Sequence, residues 1–372
     1  MPQALTHDAP AFLAAALRPC AVVPEPPRAE WTSVLAAAEE HGILSLLAGS
    51  PARAQWDPDL VSLMRPAVAA HAAIAFVHER ETRRVLSACA SEGVSPLLFK
   101  GAHLAYAVYA SPDLRPRLDT DVLIRDVEDE PLRRALSSLG YRPVPHVTGD
   151  VAFGQFQYGR TDASGARHTI DVHRRIANPK AFADRLTYAE LADGAVNLPA
   201  LGSNAWGPAP WLALIVACLH RTAHHGTCSR MIWLYDIHLL SGRLNDPDWD
   251  RIVDAAARKG LAPVVAAGLS DAAAAFGTPL PSDLLPRLHA HDAGTDRDVL
   301  VFLEGRPSML RVAASDWRRI HSWRDRVRFL REHLFPAPSY MRHRYGVTSN
   351  AFLPFLYAHR IVSGGLRWLS EN

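Results

Sequence analysis

The chain has 372 residues, 48% of them apolar and 21% charged, with a formal net charge of +2. That length supports a sizeable core and more than one subdomain, and the near balance of charge excludes a generally basic coat for nucleic acid. The four cysteines, Cys20, Cys89, Cys218 and Cys228, contain no Cys-x-x-Cys pair, which excludes a disulfide framework and points to a reduced, cytoplasmic protein.

The first residues carry Asp8 and no basic run ahead of an apolar core, so they do not read as a signal peptide. No stretch reads as the roughly 18 consecutive apolar residues that span a bilayer. An Ala-rich helix is expected within residues 1–28, broken at Pro24, Pro26 and Pro27, and a second over Trp31 to Leu47. Residues 58–92 read as one long helix whose closing charges, Glu79 to Arg84, form a solvated face, with Gly93 as its cap. This N-terminal region, 1–93, is expected to be a helical layer without chemistry of its own.

A strand at 96–99 then runs into Lys100-Gly101 and a helix at 102–110. A second strand-like run, Asp119-Thr120-Asp121-Val122-Leu123-Ile124, follows Arg115-Pro116-Arg117. Asp129 to Leu139 forms a helix, and 151–159 alternates as a strand through Val151, Phe153, Phe156 and Tyr158. The turn signal Thr161 to Gly165 leads into the strand 166–173, which carries Asp171 and His173. Strands and helices alternating in this way suit an α+β unit with a mixed sheet at about 94–205. From Pro208 the chain turns helical, over Trp211 to His225, Met231 to Leu240, 248–259, 261–276 and 283–290. The segment 306–345 holds ten arginines against Asp316, Asp325 and Glu332. An amphipathic helix containing Phe352, Phe355 and Trp368 ends the sequence at 350–369, so 206–372 is expected to be a C-terminal helical domain.

The chemistry concentrates between Leu97 and His173. Side chains on a strand alternate faces, so Asp119 and Asp121 project to one side, and Asp171 shares a face with Thr169 and His173 while Ile170 and Val172 turn to the core. Carboxylates held that close repel one another unless a cation lies between them, and hard divalent cations take oxygen ligands. Lys100-Gly101 sits at a strand-to-helix turn, where exposed N–H groups favour anions. Lys is otherwise found only at Lys180 and Lys259, which makes Lys100 the more notable.

Lys100-Gly101, Asp119-Thr120-Asp121 and the later lone Asp171 together resemble the polymerase-beta-like nucleotidyltransferase superfamily, and look most like its bacterial group of uncharacterised nucleotidyltransferases. The chain departs at the turn, with Ala102 where the wider superfamily has Gly or Ser. The resemblance implies a nucleotidyltransferase palm in which Asp119, Asp121 and Asp171 are catalytic and hold Mg²⁺ or Mn²⁺. Lys100, Gly101 and Arg117 would grip the phosphates of an NTP, with Arg115 and His173 near the acceptor or behind the ligands. The narrower group also shows a His-rich helix followed by a helix carrying Asp. That similarity places His220, His224 and Asp236 at the nucleotide, with Asp236 bonding an imidazole.

His220 and His224 lie at i, i+4, the spacing of two zinc ligands, but Arg221-Thr222-Ala223 supplies no glutamate base between them. The expected reaction is transfer of a nucleoside monophosphate from an NTP to a small molecule, glycan or peptide. Nucleic acid is not an expected partner. Two other readings share the fold: a palm that binds nucleotide or partner without catalysis, and a transferase of sugar or phosphoryl groups. The arginines at 318, 319, 324, 326, 328 and 331 do not share one narrow stripe, so solvated helix faces are expected there ahead of an anion-binding surface.

Overall fold

The computed structural model describes residues 9–18, 23–145, 151, 154–225, 230–305 and 307–370, without the side chains of 225 and 364–370. Cys20, Phe153 and Cys228 lie outside the described residues, as do the side chains of His225 and Trp368.

The fold is α+β. Among the described residues, seven strands, β1 (Leu97–Leu98), β2 (Thr120–Leu123), β3 (Arg142–Pro143), β4 (Gln155–Thr161), β5 (Arg167–His173), β6 (Val196–Asn197) and β7 (Trp206–Gly207), form one sheet in the order β3-β4-β5-β2-β1-β7-β6. The sheet is mixed: β2 runs parallel to β5 and β1 parallel to β7, and the other neighbours are antiparallel.

Period-two alternation divides the apolar residues between two cores. Leu98, Val122, Ile170 and Val172 face a cluster completed by Val85, Leu86 and Cys89 of the helix Pro58–Ser91 and by the helix Asp129–Ser138. Leu97, Phe99 and Leu123 face the larger cluster, which joins the N-terminal helices to the helices Pro210–His225, Met231–Ser241 and Ala262–Phe276. Asp121 and Asp171 alternate with Val122 and Val172, so their side chains point to this second face. The site therefore opens between sheet and helices.

Several expectations are modified by long-range contacts. Trp31 to Leu47 is two helices, Trp31–Glu40 and Leu44–Gly49, broken at Gly42, whose φ is +71°. A Cβ there would lie 2.8 Å from Arg230 Nη2, so glycine lets a distant guanidinium approach. Strand β4 begins at Gln155, not 151. Asp119 precedes β2 instead of lying within it.

The long helix starts as its sequence predicts, with Asp57 Oδ1 accepting from the Asp59 N–H at 2.8 Å ahead of Pro58. Its closing charges are not all solvated. Glu81 is buried and accepts from Tyr141 Oη at 3.0 Å and from Arg160 Nη1 at 2.6 Å, fastening the helix to the sheet. By length and composition alone this helix could also cross a membrane, which qualifies the expectation that no stretch has that character. The apolar stretch behind that character is mostly exposed, and the C-terminal turns are built into the core beneath the sheet.

Candidate active site

One cavity of about 620 Å³ lies on the helical face of the sheet. Asp119, Asp121, Asp171, Lys100, Gly101, Arg115, Arg117, His220, His224 and Asp236 all line it, so residues up to 136 positions apart converge after folding. His173 lies immediately behind that lining and is buried.

The parallel pairing of β2 and β5 sets Asp121 directly opposite Asp171. Their carboxylates and the His173 imidazole form the compact group, each offering a ligand atom within 4.8 Å of the others. Asp119, expected beside Asp121 on a strand, stands outside this triplet at the end of the preceding loop and lines the same cavity.

Each core acid is held by named partners. Asp121 Oδ1 accepts from Lys100 Nζ at 2.9 Å and lies 2.9 Å from His173 Nε2. Asp171 accepts from Gln155 Nε2 at 2.8 Å through Oδ2 and from Gln157 Nε2 at 3.1 Å through Oδ1. Asn178 Nδ2 in turn donates to Gln155 Oε1 at 2.9 Å, which fixes that amide. His173 thus braces Asp121, and the glutamines of the antiparallel neighbour β4 brace Asp171.

The electrostatics follow from burial and charge count. Burial, then the charges of Asp121 and Asp171, push the Asp119 carboxyl from 3.8 up to about 7. Burial also works against ionisation of Asp121, but the Lys100 ammonium and the His173 hydrogen bond overcome it and hold that carboxyl below the usual range. Burial and the nearby Lys100 lower His173, which keeps its ring neutral near pH 7. The cluster therefore sets an ionised Asp121 beside an Asp119 carboxyl that is half-protonated near neutral pH.

Lys100 adopts φ +52°, a left-handed backbone that side-chain-bearing residues rarely take. This strained residue, not Gly101, makes the turn. Gly101 serves close packing: a Cβ there would meet Arg115 Nη1 at 3.2 Å. Arg115 is committed elsewhere, donating from Nε and Nη2 to the two carboxylate oxygens of Asp236, each at 2.8 Å. Tyr109 Oη donates to the same Asp236 at 2.7 Å. Asp236 thus bonds a guanidinium and a phenol where an imidazole was expected, and this buried fork ties the loop before β2 to the helix Met231–Ser241.

His220 and His224 lie with ring centroids 5.1 Å apart and planes tilted by 42°, and the Trp233 ring meets His220 edge-on at 6.3 Å. Arg117 is buried, with its guanidinium 5.3 Å from the Tyr106 ring and its Nε without a hydrogen-bond partner among the described residues.

The N-terminal region contributes more than its sequence suggested. His71, Ile74 and His78 of the long helix and Glu39 line the cavity. The spacing of 71, 74 and 78 is one helix face, a signal that was available in the sequence. His78 has a buried Nδ1 without a partner among the described residues, and burial followed by the Arg117 charge lowers its pKa to about 4. Gln155 and Gln157 were equally open to discovery as a period-two pair on the strand beside Asp171.

The crystal structure of JHP933 from Helicobacter pylori is similar over 62% of this chain and 92% of that one, at 13% identity and a TM-score of 0.31. No curated protein sequence matches. The profile described as "Uncharacterised nucleotidyltransferase" matches residues 27–277, which spans the sheet, the cavity and the first C-terminal helices. The chain belongs to this family of uncharacterised nucleotidyltransferases, and its general chemistry is that of a nucleotidyl-transferring enzyme.

Proposed function

We propose that the chain transfers a nucleoside monophosphate from an NTP to a hydroxyl or similar nucleophile on a small molecule, glycan or peptide, releasing pyrophosphate and using Mg²⁺ or Mn²⁺. The observation that carries this reading is the convergence of Asp119, Asp121 and Asp171 with Lys100 and Arg117 on one cavity. The donor set fits a divalent cation, held by Asp121 and Asp171 with Asp119 beside them. The Asp119 carboxyl is raised first by burial and then by the charges of Asp121 and Asp171, and such an ion would offset that second contribution. When bound, the ion supplies neutralisation of phosphoryl charge and a lowered pKa for the attacking group.

The chain's own residues orient and bind. His173 keeps the Asp121 carboxylate aimed, and Gln155 and Gln157 do the same for Asp171. Lys100 and Arg117 offer donors to phosphate oxygens, Lys100 as a compact point charge. His220, His224 and Trp233 form the wall for the rest of the nucleotide. Asp236 acts one step away, by fixing Arg115. In this reading the palm is residues 94–205 of a polymerase-beta-like, bacterial nucleotidyltransferase, between helical regions 1–93 and 206–372. The free, buried thiols of Cys89 and Cys218 support a reducing, cytoplasmic setting.

The test is incubation with Mg²⁺, labelled NTPs and an acceptor panel, followed by mass analysis. A product heavier by one nucleoside monophosphate, with pyrophosphate released, supports the proposal. Consumption of nucleotide sugars with NTPs untouched overturns it in favour of sugar transfer. A second reading, a palm that binds nucleotide without turnover, is favoured by one feature. The Lys100 ammonium already neutralises Asp121, as an internal cation would. Metal-dependent NTP binding without pyrophosphate release across the panel would select that reading.

A further inference from the structure

Helix Trp323–Leu334 lies outside the region shared with the family, and its outward face is the reverse of a solvated one. Trp323, Val327, Leu330 and Leu334 recur at helical spacing and are all exposed, Trp323 to 70% and Leu330 to 45%. The helix is not short of core contacts on its other side. Phe329 is buried in a small cluster with Ile320, against Trp317 and Val151, and the Arg326 guanidinium lies 5.3 Å from the Trp317 ring. The exposed stripe is therefore a second apolar face, beyond the one that attaches the helix.

Charge around the stripe has one sign. At about 100° per residue, Arg324 and Arg331 fall along one flank of it, while Arg326, on the other, is turned to the attached side and donates from Nε to Ile320 O at 2.8 Å. Arg324 and Arg331 are exposed and have no ion-pair partner among the described residues. The helix's two acids, Asp325 and Glu332, fall on the opposite side, where Glu332 accepts from Arg328 at 3.1 Å. The adjoining helix Leu353–Ser370 also exposes Phe355 and Val362, and Tyr357 Oη fastens it by donating to Pro336 O at 2.7 Å.

We infer that this face docks the protein on an anionic lipid surface, with the apolar stripe entering the headgroup boundary and the arginines pairing with lipid phosphates. A helix lying in the interface needs an apolar face bordered by cations. A second copy is the poorer occupant, because stripe against stripe would oppose arginines with no acid near the contact to answer them. This inference is independent of the reaction proposed above.

The full chain should co-sediment with phosphatidylcholine vesicles containing phosphatidylglycerol, bind pure phosphatidylcholine vesicles far more weakly, and be released by salt. Leu330→Glu should weaken vesicle binding tenfold or more, and Arg324→Glu with Arg331→Glu by roughly twentyfold. All three sites are exposed, so unchanged thermal melts should accompany these losses. Equal binding to both vesicle types, no binding to the anionic ones, or wild-type binding by the variants would overturn the inference. So would self-association in sedimentation velocity that Leu330→Glu abolishes, which would assign the stripe to a second copy.

Discussion

The floor and the wall of the cavity are built by different rules. On the sheet, Asp121 and Asp171 each take two hydrogen bonds, from Lys100 and His173 in one case and from Gln155 and Gln157 in the other. Along the wall and its loop, the buried nitrogens His78 Nδ1, His103 Nε2 and Arg117 Nε lack partners among the described residues. Leaving a buried donor unmatched costs about 1–3 kcal/mol. The floor is thus a charge cluster assembled in advance, while the wall keeps polar groups open for a ligand to complete. The Arg115–Asp236 fork joins the two.

That division can be broken at its joint first. Asp236→Ala leaves Arg115 buried without its counter-ion, and should cost about 3–5 kcal/mol of stability in chemical denaturation. Unchanged stability would show that floor and wall are held together by something else. The floor should tolerate substitution structurally but not chemically. Asp121→Asn and Asp171→Asn should lower turnover by about 10²–10³-fold or more, with intact circular dichroism.

Asp119 separates charge from fold by pH. Its folded pKa of about 7 lies above its ordinary 3.8, so between those values the folded state binds more protons than the unfolded one. Stability of the protein in chelator should therefore be greatest below about pH 4 as far as this group is concerned. It should fall by roughly 2–4 kcal/mol as pH rises through 7. Asp119→Asn should flatten that loss, making the variant the more stable protein at pH 8 while it is the less active one. The wall should give the smallest effect: His78→Ala is expected to raise KM by about three- to tenfold with kcat nearly unchanged.

What the sequence revealed follows the range of the forces involved. The alternation around Asp171, the apolar run ending at Lys100 and the capping of the long helix are local, and all were legible. Strands β3, β6 and β7 have two residues each, too short to show any period. Gly42 breaks a helix for the sake of Arg230, and Glu81 is buried for the sake of Tyr141 and Arg160; neither partner is visible from its own neighbourhood. In the site, residue types were readable but pairings were not. Asp236 could be singled out, yet its partners, Arg115 and Tyr109, lie more than a hundred positions away. His173 was expected near the acceptor or behind the ligands, and its partner, Asp121, lies across the β2–β5 pair and not in its own strand.

The central claim is that Asp121 and Asp171 jointly grip a divalent ion together with a nucleoside triphosphate. Electron paramagnetic resonance of Mn²⁺, titrated into the full chain with a non-hydrolysable NTP, reads this without knowledge of the acceptor. The account predicts tight Mn²⁺ binding that strengthens with nucleotide and is lost in both Asp121→Asn and Asp171→Asn. Mn²⁺ binding that is absent from the wild-type chain, or equal in the wild type and both variants, would contradict it.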